Sequence, residues 1–208
     1  MSRVRKIEEN NFSDIITEAA TLIRGGGLVA FPTETVYGLG ANALDESAIE
    51  RIYRVKGREH DKPLALLVAD RDTAGKLGAR IPDFAFRLME EYWPGPLTLI
   101  FEASAIVPSS VKGPGGTIGV RMPDHPVALE LIRSSDLPLA ATSANPSGEI
   151  SPTTADEVGK TLGARIDLII DGGGTAVKIP STVIDVTGDR PVIVREGNLS
   201  REQVMRMG

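Results

Sequence analysis

The chain of 208 residues contains no cysteine. That excludes disulfide scaffolds, thiolate zinc sites, iron–sulfur clusters and cysteine nucleophiles together. Histidine is scarce, with His60 and His125 the 2 present, a poor supply for metal clusters or for Ser/His/Asp catalysis. Aromatic residues make up 4% of the chain, so stacking platforms for nucleic-acid bases have little to draw on. Neither sign of charge dominates: 23 Lys+Arg stand against 28 Asp+Glu, for a net charge of −5. Mild acidity argues against coating nucleic acid through bulk charge, yet leaves room for a local basic pocket. Residues 1–9 hold no apolar stretch of a secretory leader, and apolar runs such as 64–69 are far too short for a bilayer. A cytoplasmic protein without a membrane partner is expected.

What is present is ordinary for a globular protein: 41% hydrophobic and 25% charged residues. No repeat, linker or low-complexity segment divides the chain, so one domain over residues 1–208 is expected. Helix and strand signals alternate along it. Phe12, Ile15, Ile16, Ala19, Ala20 and Ile23 fall at helical spacing, with Ser13 a cap and Gly25 a stop. A second helix should open at Asp45, bury Ile49, Ile52 and Tyr53, and end at Gly57. Further helices are expected over 84–92, from Asp124 and Pro126 through Ile132, from the Thr154-Ala-Asp-Glu157 capping box to about Leu162, and after Ser200. Strand signals fall at 28–31, 64–68, 97–101, 118–121, 139–142, 168–170, 183–186 and 192–194. The last three have connections too short for all to be parallel crossovers, so an α/β fold on a mixed sheet follows.

Several motif-like fragments carry no chemistry. Gly172-Gly-Gly174 has Val177 where a dinucleotide fingerprint needs its last glycine. Gly159-Lys160-Thr161 resembles the end of a phosphate loop, but Thr154 occupies the first glycine position and the stretch reads as helix. Asp70 and Asp72 sit where a helix cap is due.

Three features point to a ligand site. Arg51, Arg54, Lys56, Arg58 and Lys62 gather positive charge in an acidic protein. Basic residues in a last helical turn also answer the helix dipole, but these lie just before the extended run 63–68, where loops of α/β sheets hold ligands. The segment Thr142-Ser-Ala-Asn-Pro-Ser-Gly148 with Ser151 is dense in hydroxyls and amides at a strand end. The segment Pro32-Thr-Glu-Thr-Val-Tyr-Gly-Leu-Gly40 again follows a strand. Together they suggest a shared mouth at one edge of the sheet.

Seven blocks carry a family resemblance in register: Phe31-Pro-Thr-Glu-Thr-Val-Tyr-Gly-Leu-Gly40, Lys56-Gly-Arg58, Trp93-Pro-Gly-Pro-Leu-Thr98, Thr117-Ile-Gly-Val-Arg121, Ser143-Ala-Asn145, Ser181-Thr-Val-Ile-Asp185 and Arg195-Glu-Gly197. Over about residues 12–199 the chain resembles the YrdC/TsaC family of threonylcarbamoyl-AMP synthases, in its short form without the extra carboxy-terminal domain of longer relatives. The resemblance implies a YrdC-like twisted mixed sheet with flanking helices and a concave basic face. It implies condensation of L-threonine, bicarbonate and ATP to threonylcarbamoyl-AMP plus pyrophosphate, with magnesium on the ATP. The product would feed a downstream threonylcarbamoyl-transferase complex acting on tRNA.

By the same resemblance Lys56 and Arg58 are catalytic and, with Lys62, face the ATP phosphates; Thr117, Ser143, Asn145, Ser151 and Arg195 complete the nucleotide site. Thr35, Leu67, Arg121, Ala141 and Ser181 surround threonine, Leu67 through backbone or packing and Arg121 as a fork for the carboxylate. No protein metal ligand is expected. Two other readings use the same features: a non-catalytic protein binding tRNA or double-stranded RNA on the basic face, and a carbamoyl-handling module like that within HypF proteins, whose acylphosphatase and zinc-finger segments have no counterpart here.

Overall fold

The computed structural model describes residues 3–206. In chain order these form β1 (Arg3–Lys6), α1 (Phe12–Arg24), β2 (Val29–Phe31), β3 (Gly38–Asn42), α2 (Glu46–Lys56), β4 (Ala65–Leu67), α3 (Arg71–Leu77), β5 (Gly78–Arg80), α4 (Asp83–Tyr92), β6 (Leu97–Ala103), β7 (Thr117–Arg121), α5 (Pro126–Ser135), β8 (Leu139–Ser143), α6 (Ala155–Leu162), β9 (Leu168–Asp171), β10 (Thr182–Asp185), β11 (Val192–Arg195) and α7 (Arg201–Met205). The strands join in one sheet of order β1-β9-β2-β3-β8-β4-β7-β6-β10-β11, with β5 paired on β6. Parallel pairs such as β4 with β7 and β6 with β10 mix with antiparallel ones such as β3 with β8 and β10 with β11. The expected mixed α/β architecture is the one observed.

Local chemistry explains most of the helix ends. Asp45 accepts hydrogen bonds from the Ser47 and Ala48 amides at the start of α2, and Gly57 ends it in the left-handed conformation. Capping boxes at Thr154–Glu157 and Ser200–Gln203 open α6 and α7. Two expected caps differ. Asn11 rather than Ser13 precedes α1, and its Oδ1 accepts from the Glu8 amide instead of capping. His125, not Asp124, caps α5: its Nδ1 accepts from the Val127 amide at 3.2 Å. That bond needs an unprotonated Nδ1, and burial holds the imidazole below its ordinary range.

Strand β3 lies inside what reads as a polar, glycine-punctuated loop. Phe31 of β2 packs across Gly38 and Gly40, and a Cβ on Gly40 would come within 2.7 Å of the Phe31 ring. The glycines therefore make room for a neighbouring strand's aromatic ring rather than marking a turn.

The sheet is covered unequally. On one face Leu66, Leu97, Leu99, Phe101, Ile118, Val120, Ala140 and Ile184 join a continuous core with residues of α2, α3, α4, α6 and α7. On the other, α1 and α5 pack over β2, β9 and the inward positions of β8 and β4, burying Val29, Phe31, Leu131, Leu139, Leu168 and Ile170. The strand period of two turns the alternate positions of β6, β7 and β10 to this second face, beyond the reach of those helices.

The chain between β9 and β10 must cross the sheet, because β2, β3, β8, β4, β7 and β6 lie between them. This crossing is fastened by backbone bonds from the amides of Thr175 to Thr153, Val177 to Glu34 and Lys178 to Thr35. The Tyr37 hydroxyl also donates to the Gly173 carbonyl at 2.7 Å, and burial raises that phenol to about 12. Among the described residues no helix is long and apolar enough to cross a membrane.

Candidate active site

A cavity of about 240 Å³ occupies the uncovered part of the second face. Its floor is the alternate set of strand residues: Gly38, Ala65, Leu67, Thr98, Ile100, Gly119, Ala141 and Val183. Its walls come from the three polar segments singled out in the sequence. They meet over the middle of the sheet, however, rather than at an edge, because β3, β8 and β4 are adjacent central strands.

Of the expected contacts, Thr35, Arg58, Leu67, Thr117, Arg121, Ala141, Ser143, Ser151, Ser181 and Arg195 line the cavity. Lys56, Lys62 and Asn145 do not. The Lys56 side chain is buried, and its ammonium donates to the Ser143 carbonyl at 2.5 Å and to the Asn145 carbonyl. It ties down the loop after β8. Lys62 is exposed, paired with Glu59 at 2.6 Å, and reaches the site only through its carbonyl, which accepts from Arg58 Nε at 2.7 Å. The Asn145 amide donates to the carbonyls of Pro146 and Glu149, both at 2.8 Å, and so shapes the same loop as Lys56.

Burial, with Arg58 nearby, lowers Lys56 to about 8. The unfolded chain then holds more protons than the folded one between about pH 8 and the ordinary lysine value of 10.5. The contribution of Lys56 to stability should be constant below this window and rise through it. Thermal melts of the wild type and Lys56→Met from pH 7 to 10 should diverge in favour of the wild type above about pH 8. Parallel curves would show that Lys56 does not titrate there.

Three guanidinium groups converge on the cavity. Arg58 donates to the carbonyls of Lys62 and Pro63, and Arg195 donates to the Ser181 carbonyl at 2.8 Å and its hydroxyl at 3.2 Å. Neither has a carboxylate partner among the described residues. Loss of water lowers the affinity of both for their protons. Arg121 and Arg58 add to the effect at Arg195. Cations without an ion-pair partner at the wall of a cavity have the chemistry to receive an anion.

Arg121 is more deeply buried and already engaged. Its Nη2 pairs with Glu34 Oε1 at 2.6 Å and donates to Thr35 Oγ1 at 3.1 Å, while Nε donates to the Gly95 carbonyl at 3.1 Å. Two nitrogens of the fork expected from sequence are thus engaged by the protein, and Nη1 has no protein partner among the described residues. Thr33 gives its hydroxyl proton to the Val36 carbonyl, so in the 2.9 Å bond between the two threonines Thr35 is the donor. With its proton committed, Thr35 meets the cavity as an acceptor. Glu34, Thr33, Thr98 and Gly95 were not among the expected site residues, although each lies within a block that carried the resemblance. Thr33 and Thr98 line the cavity themselves, while Glu34 and Gly95 bear on it through Arg121, a link that no motif spacing displays.

The residues 21–197 match a family described as "Telomere recombination", comprising Sua5, YciO and YrdC. A threonylcarbamoyl-AMP synthase of Pyrococcus abyssi is 49% identical over 91% of this chain and 56% of its own length. One from Bacillus subtilis is 48% identical over 91% of this chain and 55% of its own. The chain therefore spans about half the length of these curated relatives. The crystal structure of P. abyssi Sua5 complexed with L-threonine superposes with a TM-score of 0.93 and 45% identity, covering 100% of this chain and 60% of that one. With the mixed sheet, the cavity and most of the matched motifs brought together on its walls, the chain belongs to the Sua5/YciO/YrdC family.

Proposed function

We propose that the protein is an L-threonylcarbamoyladenylate synthase, joining L-threonine, bicarbonate and Mg·ATP to give threonylcarbamoyl-AMP and pyrophosphate. The observation that carries this reading is the convergence of Arg58, Arg121 and Arg195 on one cavity that also presents Thr35, Thr117, Ser143, Ser151 and Ser181. The threonine amine takes up bicarbonate-derived carbon to form a carbamate with loss of water; a carbamate oxygen then attacks the α-phosphorus and pyrophosphate leaves. Both nucleophile and leaving group are anionic, so the barrier is dominated by bringing negative charges together. Fixed cations and positioning lower it, with no need for a titrating base.

In this scheme Arg58 and Arg195 face the phosphates, and Arg121 Nη1 meets the amino-acid carboxylate. Thr35, as an acceptor, suits a substrate N–H or O–H. Among the described residues no group of three or more His, Cys, Asp or Glu is placed to hold a metal. Magnesium would therefore arrive as part of Mg·ATP, held by the triphosphate and water. The acyl-adenylate is water-sensitive, which calls for a downstream transferase acting on tRNA. Cations drawn into a cavity, rather than spread over an exposed face, favour this reading over RNA binding alone.

The test is pyrophosphate release from Mg·ATP with and without L-threonine and bicarbonate. Release requiring both, with the mass of threonylcarbamoyl-AMP in the products, is expected. A folded protein that binds ATP and RNA but releases no pyrophosphate would overturn the synthase reading.

A further inference from the structure

We propose that Thr98 is a substrate-positioning residue: with Ser181 it forms a hydroxyl pair that directs one hydrogen bond to an anionic oxygen of the amino-acid substrate. The inference rests on the threonine-binding reading above and concerns a side chain that reading does not use.

Thr98 lies on β6, is 5% exposed, and has its hydroxyl 2.8 Å from the Ser181 hydroxyl. Both residues line the cavity. The two hydroxyls own two protons and share one bond. Neither donates to any other protein acceptor among the described residues, so one proton is left for the cavity whichever way the shared bond runs. On the far side, Arg195 Nη2 donates into the Ser181 oxygen at 3.2 Å. A charged donor at one end of a hydroxyl chain polarises it, strengthening the bond offered at the other end. The pair therefore suits an acceptor, and an anionic one best.

The orientation of Thr98 is fixed by an independent feature. Gly119 pairs with Ile100 across β6 and β7 and lies diagonal to Thr98, and a Cβ there would come within 3.2 Å of the Thr98 methyl. With its methyl against a bare glycine, Thr98 turns its hydroxyl to Ser181 and holds the Ser181 rotor in place. Arg195, in contrast, keeps its bonds to the Ser181 carbonyl whatever occupies position 98. The loss of the Thr98 hydroxyl should then fall on the amino acid and not on the nucleotide.

The experiment compares the wild type, Thr98→Val and Thr98→Ser by calorimetric titration with L-threonine and by pyrophosphate release at varied threonine and ATP. Valine matches threonine in shape and suits a strand, so the fold is retained. Thr98→Val should weaken threonine binding and raise its KM by about tenfold, the scale of one hydrogen bond to a charged acceptor. The KM for ATP should change by less than about threefold. Thr98→Ser should return threonine binding to within about threefold of the wild type. Wild-type threonine binding by Thr98→Val overturns the proposal, as does a Thr98→Ser as weak as Thr98→Val, which would assign the effect to methyl packing. Absence of threonine binding and turnover in the wild type itself overturns the threonine reading, and the proposal with it.

Discussion

Replacing Arg121 by alanine should lower the unfolding free energy by about 3–5 kcal/mol, the cost of leaving one partner of a buried ion pair behind. The side chains of Arg121 and Glu34 are 9% and 12% exposed, and Glu34 Oε2 already lacks a partner. Without the guanidinium the buried carboxylate would lose both its charge partner and its donor. In a chain of this size the loss corresponds to roughly 10 °C in melting temperature. Glu34→Gln combined with Arg121→Ala should recover part of that stability, because a neutral amide is cheaper to strand than a carboxylate. It should recover none of the threonine affinity, which depends on Arg121 Nη1. Thermal melts and threonine titrations of both variants separate the two roles. An Arg121→Ala protein as stable as the wild type would show that the pair is not structural.

Arg58→Ala should reduce turnover by about 10²–10³-fold, the scale for removing one donor that stabilises transition-state charge. Of the basic residues expected at the phosphates from 56 to 62, Arg58 alone lines the cavity, and it has no ion-pair partner among the described residues. Lys56 and Lys62, by contrast, are tied to carbonyls and to Glu59. Arg58→Lys should recover only part of the loss, since an ammonium cannot hold the carbonyls of Lys62 and Pro63 and also present a planar fork to phosphate. The check is steady-state pyrophosphate release from proteins whose circular dichroism matches the wild type. Full activity in a folded Arg58→Ala would remove it from the phosphate site.

Local rules made much of the fold legible. Asp45 and Gly57 bracket α2 as cap chemistry requires, and Thr154-Ala-Asp-Glu157 opens α6. The strand signals at 97–101 and 118–121 fall on β6 and β7. What stayed hidden depends on partners distant in the chain. Strand β3 reads as a loop because the reason for its glycines is the Phe31 ring on another strand. Strand β1, Arg-Val-Arg-Lys, has no apolar pattern of its own and is a strand because β9 offers it a parallel edge. Lys56 carries the same charge as Arg58 two positions on, but its ammonium bonds to the Ser143 carbonyl, 87 residues away. Motif spacing finds residues that meet a ligand; it does not distinguish them from residues that hold the ligand's neighbours.

Under the proposed function, the unequal cover of the sheet makes the substrates part of the architecture. Strands β6, β7 and β10 have a packed helical layer on one side and the cavity on the other, where an α/β sheet ordinarily meets its second set of helices. A nucleotide and an amino acid seated there would supply the missing third layer. In that reading these strands are completed by what they bind, which covers the apolar floor of Leu67, Ile100, Ala141 and Val183. Bound substrate should therefore act as a structural element as well as a reactant, stabilising this half of the molecule by the free energy of its own binding.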